Sequence, residues 1–152
     1  LANRVLDALQ QYEVVGVAGC TALLGHQVSW CFTQATERGR LEWVDRSMLS
    51  GAVCHFHPTG ESISCYGAVP QGCVLLDGCF LALSVRAVRE RQVCFDEQFA
   101  FHFYDVDFCR SCTEAGVLLG TWPIAIAHAS TGELGSREWQ VALAKYRAKW
   151  KD

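Results

Sequence analysis

Between Phe95 and Cys109 the chain sets four carboxylates, Asp96, Glu97, Asp105 and Asp107, and one histidine, His102, among six aromatic rings. Carboxylates are rarely placed among so many rings unless something polar or ionic must be held there. Asp105 falls where a helix should open, beside backbone N–H groups that lack intrahelical partners, a setting that favours the carboxylate form. A single poised carboxylate suits general-base work, taking the proton from a hydroxyl nucleophile. A plain N-terminal helix cap would use the same residue for no chemistry, and local sequence leaves both roles open. Asp107 diverges from Asp105 by about 200° around an ideal helix, so one can face a cleft while the other supports its neighbours.

Two segments frame this run. Asp77-Gly78 interrupts the apolar stretch from Cys73 to Leu83, where glycine permits a positive φ or the close approach of a ligand; an ordinary β-bulge is the alternative. His128 follows Pro123-Ile124-Ala125-Ile126-Ala127 at an expected strand end, where ligands collect in open α/β sheets. Its imidazole can ligate a metal or serve as a hydrogen-bonded structural group.

Other side chains have metal-like spacing. Cys109-x-x-Cys112 falls inside an expected helix, whereas structural zinc usually takes such pairs from turns. Cys54, His55, His57 and Cys65 offer up to four zinc ligands, although the adjacent Cys54 and His55 do not easily face one ion. Zinc at Cys54, His57 and Cys65 would make the chain a non-catalytic binding module. Asp105, Asp107 and His128 as ligands would instead suit a metal-dependent phosphoesterase, a class that normally draws on more carboxylates and histidines. Trp30 and Trp43 serve equally well as core or as stacking surface for a sugar or acceptor ring.

These residues need elements to hold them. Val5, Ala8, Leu9 and Tyr12 have helical spacing. Val14 to Gly19 reads as a short buried strand, and Gly51 to Gly72 as an irregular or hairpin excursion. Cys73 to Leu83 is the strongest strand, broken at Asp77-Gly78. A helix from about Ser84, its N-cap, to Arg91 follows, then one from Tyr104 or Asp105 to Ala115 with Gly116 closing it. Val106, Cys109 and Thr113 would share a face of that helix. Val117 to Leu119 and Ile124 to Ala127 read as extended, and Glu138 to Trp150 as a terminal amphipathic helix. Alternating strands and helices predict an α/β class with at least partly parallel pairing.

With 152 residues, 51% of them hydrophobic and 19% charged, the chain is expected to form one folded domain rather than a disordered segment. A net charge of -3 gives no basic face for general nucleic-acid binding. No apolar run reaches the roughly 18 residues that span a bilayer, so no transmembrane segment is expected. Nine cysteines, an odd number, cannot all pair internally, which favours a reducing, cytoplasmic setting. The chain opens at Leu1 with a helix already in progress, and is expected to be part of a longer one.

The segments Leu76-Asp77-Gly78-Cys79-Phe80-Leu81-Ala82, Phe95-Asp96-Glu97 and Phe101-His102-Phe103-Tyr104-Asp105-Val106-Asp107-Phe108-Cys109, followed by Pro123-Ile124 and His128-Ala129-Ser130, together resemble the C-terminal half of family 2-like glycosyltransferases. The similarity is dense from about Leu75 to Ser130 and thinner over Val14 to Thr21. It implies a GT-A fold with a Rossmann-like, mixed but mostly parallel sheet, in which residues 1–152 form one partial domain. It also implies inverting transfer from a nucleotide-sugar donor to a hydroxyl of a glycan, lipid-linked or other acceptor. The family's acidic motif, usually Glu-Asp, reads Tyr104-Asp105 here, which gives Asp105 the role of catalytic base. Asp77, Gly78 and Cys79 map onto the segment lining the donor and acceptor pocket, and His128 onto a histidine that helps ligate the cation. His102, Tyr104 and Asp107 match positions near the cleft, as substrate contacts or local support. The Asp-x-Asp motif that holds Mn2+ or Mg2+ with the donor diphosphate does not occur where the resemblance places it, ahead of the helix and the strand at Val14. It is expected upstream with the nucleotide-binding strands, so the chain alone should be inactive.

Overall fold

In the computed structural model, which describes residues 1–34, 39–57, 60–129 and 134–151 (backbone alone at 57), the apolar stretches build two small sheets that share strands' ends. Helix α1 (Ala2–Ala8) leads into β1 (Val14–Gly16), all three residues buried. The chain bends at Val17 and continues as β2 (Ala18–Cys20), equally buried. The single strand expected over Val14 to Gly19 is therefore two strands in two different sheets. Next come β3 (Phe32–Gln34) and β4 (Leu41–Trp43), a two-stranded unit pairing Phe32 with Trp43, and a 3-10 turn at Arg46–Met48.

The excursion read between Gly51 and Gly72 is a regular antiparallel hairpin, β5 (Leu49–His57) and β6 (Gly60–Gly67). The strong strand at Cys73 to Leu83 is cut into three pieces: β7 (Gln71–Cys73), β8 (Leu75–Leu76) and β9 (Leu81–Leu83). After α2 (Val85–Glu90) and α3 (Tyr104–Glu114) follow β10 (Leu119–Thr121), β11 (Ala127–His128) and α4 (Arg137–Trp150). The expected caps are present: the Ala87 N–H donates to Ser84 Oγ at 3.4 Å, and Gly116 leaves α3 with φ +71°.

One sheet has the order β7-β10-β1-β9 and the other β11-β5-β2-β8, with β6 added to β5. Among the described residues only β1–β10 and β11–β5 pair in parallel; the other six ladders are antiparallel. The class is mixed α/β, and the expectation of mostly parallel pairing is corrected. Two of the six, β3–β4 and β5–β6, join consecutive strands by short connections, which can only pair antiparallel; the other four join strands distant in sequence.

Helix α3 is fixed against β8 by its buried face. Val106, Phe108, Cys109 and Cys112 are all excluded from water, and the Leu76 N–H donates to Cys109 Sγ at 3.3 Å. Cys112 takes the place expected for Thr113, which is exposed and bonds its hydroxyl back to the Cys109 carbonyl at 2.9 Å. Helix α4, capped by Ser136 accepting from the Trp139 N–H, lies against the other side of α3. The register of β8 on β2 is extended by the Asp77 N–H donating to the Ala18 carbonyl at 2.9 Å. That bond places Asp77 at a strand end, next to the first turn of α3.

Candidate functional site

Where β8 ends and α3 begins, a cleft of about 420 Å³ opens. Its lining includes Asp77, Gly78 and Cys79 from the strand end, His102 to Val106 from the helix opening, and His128 from β11. Seven of the eight residues singled out in the sequence, Asp77, Gly78, Cys79, His102, Tyr104, Asp105 and His128, thus share one wall system. The eighth does not. Asp107 is 0% exposed and points into the seam between α3 and α4, where Trp150 Nε1–H donates to Oδ1 at 2.8 Å and Lys149 Nζ to Oδ2 at 2.9 Å. Of the two roles expected of Asp107, direct substrate contact is corrected and local support remains: its divergence from Asp105 around the helix sends it into the α3–α4 seam. Ser130, the last residue of the downstream motif, lies outside the described residues.

Asp105 occupies the second position of α3. Its Oδ1 accepts from the Val106 N–H at 2.9 Å and its Oδ2 from the Gly78 N–H at 3.0 Å. The helix therefore has an acidic residue inside its first turn, while the capping position belongs to Phe103. Each carboxylate oxygen carries two lone pairs, so one remains on each for a substrate hydroxyl. Burial, and then the charge of Asp77, push the Asp105 carboxyl up to about 6, against the opposing pull of the two N–H bonds. A carboxyl at this value is ionised at neutral pH yet basic enough to take a proton.

The neighbours are held to match. Gly78 meets the first turn of α3 so closely that a Cβ there would collide with the Tyr104 hydroxyl and lie 2.6 Å from its Cζ. Only glycine admits this approach. Tyr104 donates its O–H to the Gly78 carbonyl at 2.9 Å, and burial with the charges of Asp105 and Asp77 pushes its pKa up to about 12. It stays a hydrogen-bond donor. The Cys79 N–H donates to Asp77 Oδ1 at 2.9 Å, and burial followed by the Asp77 charge drives the Cys79 thiol well above its usual range. Protonated, it is a contact and not a nucleophile.

Phe103 precedes this turn with φ +67°, a left-handed conformation that costs a β-substituted residue. Its ring, 4% exposed, stacks on Tyr146 of α4 at 5.0 Å and packs on Trp139 at 5.5 Å. Aromatic packing from α4 thus holds the backbone that aims Tyr104 and Asp105. Asp96 and Glu97 lie in a turn before the site, as expected, with the Phe99 N–H donating to the Asp96 carbonyl at 3.0 Å.

Opposing side chains of the cleft come from Val28 to Phe32, with Leu134 and Trp139. Sequence reasoning missed this segment apart from Trp30, because it has no regular period. Trp30 is 6% exposed, whereas Trp43 is 59% exposed and does not line the cleft.

Metal ligation has less support from side-chain geometry. Among the described residues no three His, Cys, Asp or Glu converge on a point where an ion would sit. His128 pairs across the parallel ladder with His55, their rings 6.4 Å apart. Among the described residues Asp105 and Asp77, each already accepting backbone N–H groups, have no third donor side chain beside them to close a metal site. Neither Mn2+ nor Mg2+ finds a complete donor set here. The phosphoesterase triad of Asp105, Asp107 and His128 is likewise not assembled, because Asp107 faces α4. Cys54 and Cys65 lie on the β5–β6 ladder, opposite Ile63 and Ala52, and the side chain of His57 lies outside the described residues. Cys109 and Cys112 are buried in the helix, the second thiol pushed up to about 12 by that burial, and Cys109 Sγ accepts from the Leu76 N–H at 3.3 Å.

No protein-family model matches this chain, and no curated protein sequence matches it. Among the described residues no helix is long and apolar enough to cross a membrane.

Proposed function

We propose that the cleft is the acceptor side and general-base centre of an inverting glycosyltransferase of GT-A type, using a nucleotide-sugar donor. The single observation that carries the reading is Asp105: a carboxylate raised to about 6, held by two backbone N–H groups at a helix opening, in the wall of a cleft that also gathers Asp77, Gly78, Cys79, His102, Tyr104 and His128. Structural carboxylates in ion pairs have lowered values; a raised one in a cleft suits proton abstraction.

The acceptor hydroxyl donates its hydrogen bond to a remaining lone pair of Asp105. As its oxygen attacks the anomeric carbon, the proton passes to the carboxylate. The bond from that carbon to the diphosphate oxygen breaks, and the electron pair leaves with the nucleoside diphosphate. One displacement from the face opposite the leaving group inverts the anomeric centre. Tyr104 and Gly78 fix the carboxylate's position, and the Asp77 charge keeps it basic. The divalent cation that the resemblance implies would belong to the leaving diphosphate; no step above depends on it.

The test is Asp105→Asn in the intact protein, assayed with a panel of nucleotide sugars. Loss of the base is expected to lower kcat by about 10²- to 10⁴-fold with the fold preserved by circular dichroism. Turnover within a few-fold of the parent would remove Asp105 as the base.

A further inference from the structure

Four aromatic rings make a continuous track from the cleft to solvent. Trp30 and Phe32 line the cleft with Asp105. Trp30 meets Tyr66 edge-on at 4.7 Å, and Phe32 lies 4.4 Å from Trp43, its cross-strand partner. Trp43 and Tyr66 stand 6.5 Å apart with their planes only 31° from parallel. The inner ring is covered and the outer one is not: Trp30 is 6% exposed and Trp43 59%. A lone exposed tryptophan needs no explanation. This one continues the wall of a catalytic cleft, so the bland account leaves the continuity unexplained.

The chemistry of the track narrows its occupant. Flat apolar faces with polar edges are complementary to a pyranose, whose axial C–H bonds form an apolar face and whose hydroxyls form a rim. Tyr66 adds a phenol, half-buried and kept protonated chiefly by that burial. Ser29 contributes a hydroxyl on the cleft wall. A lipid chain would match aliphatic side chains, and this route consists of rings.

We propose that Phe32, Tyr66 and Trp43 form an acceptor subsite for a saccharide chain. The reacting sugar sits in the cleft beside Asp105, and the preceding sugars of the acceptor lie along the rings that lead out to Trp43. The acceptor class is thereby a glycan of at least two residues. This rests on the glycosyltransferase reading for what the cleft does, and on ring geometry for what it holds.

The intact protein is titrated with cellotetraose, chitotetraose and maltotetraose, following tryptophan fluorescence and calorimetric heat. At least one is expected to bind, with Trp43→Ala weakening it about tenfold and Trp43→Phe keeping it within about threefold, as loss and retention of one stacked ring imply. Binding by none of the three, or equal binding by Trp43→Ala, overturns the subsite. So does a response confined to phosphatidylglycerol vesicles, which would make the track a lipid contact. Saccharide binding without transfer from any nucleotide sugar would remove the transferase and leave the subsite. Transfer abolished by Asp105→Asn, with acceptor KM unchanged in Trp43→Ala, would do the reverse.

Discussion

Asp105 combines two features that normally oppose one another, a helix N-terminus that favours its charge and a buried setting beside Asp77 that disfavours it. The second wins, and the outcome has a sign that stability measurements read. In the unfolded chain the carboxyl titrates near 3.9; in the folded protein its value is about 6. Between those values the folded state binds more protons than the unfolded state, so stability falls as pH rises through the window. Well above pH 6 the whole penalty applies, about 3 kcal/mol. Asp105→Asn removes the titration. Its melting temperature relative to the parent is therefore expected to shift in its favour by about 5 °C between pH 4 and pH 7.5. A constant difference across that range would mean that the carboxyl is not raised. The same value predicts that kcat/KM rises with pH through about 6 and then levels.

At the scale of elements, α4 acts as the clamp that keeps α3 in place. Lys149 bridges Asp107 and Asp96, with N–O distances of 2.8 Å to each, and Trp150 donates to Asp107 from the same turn. Arg110 of α3 lies 4.3 Å over the Trp150 ring. Lys149→Met strands most of the negative charge of Asp107 in a fully buried place. The expected loss is about 2 kcal/mol by urea denaturation, less than for a wholly buried pair because Lys149 is partly in water. Adding Asp107→Leu to that variant should restore part of the loss, since no charge then remains to be compensated. A single variant within about 0.5 kcal/mol of the parent would show that Trp150 alone satisfies Asp107. The helices and their caps were legible in sequence because 3.6-residue periodicity and capping residues such as Ser84 and Gly116 are local signals. The hairpin was one of the two readings of Gly51 to Gly72, and the break at Asp77-Gly78 falls between β8 and β9 as expected, but the breaks at Val74 and Val17 were not legible. Val14 to Cys20 looks like one strand because nothing in an apolar run tells which sheet each half will join. The candidate site was largely legible, since acids among rings and Asp77-Gly78 are unusual in any fold. Its far wall, Val28 to Phe32, came from a segment without period, and Asp107 stayed between substrate contact and support because spacing gives its angle from Asp105 but not which of the two faces the cleft.

At the scale of the whole molecule, the site depends on how the two sheets are joined. The chain crosses between them at Val17, and β5, which stays in the second sheet, passes against that crossing at Gly51, whose φ is +104°. The Ala52 N–H donates to the Val17 carbonyl at 3.1 Å at this crossing. A second tie lies nearby, where the buried hydroxyls of Ser50 and Thr121 meet at 2.5 Å and link β5 to β10. Asp77 reaches the cleft on β8, which pairs with β2, whereas β9 and the lead into α2 belong with β1. Because α3 is fixed against β8, the angle between the sheets sets where that unit, carrying Asp77 and Asp105, stands relative to β1, β9 and β10. Gly51→Ala would place a Cβ against the Val17 carbonyl oxygen and 2.6 Å from the Ala18 Cα, in a conformation that alanine adopts at a cost. Both contacts are backbone, so no side chain can move aside to relieve them. The variant is expected to lose about 3 kcal/mol or more, read by urea denaturation. Because the strain falls at the crossing and not within either sheet, hydrogen exchange should show lost protection at Ala18 to Cys20 and at Leu49 to Ala52 together. Protection lost in β5 alone would mean that the hairpin deforms independently and that the crossing does not set the geometry of the cleft.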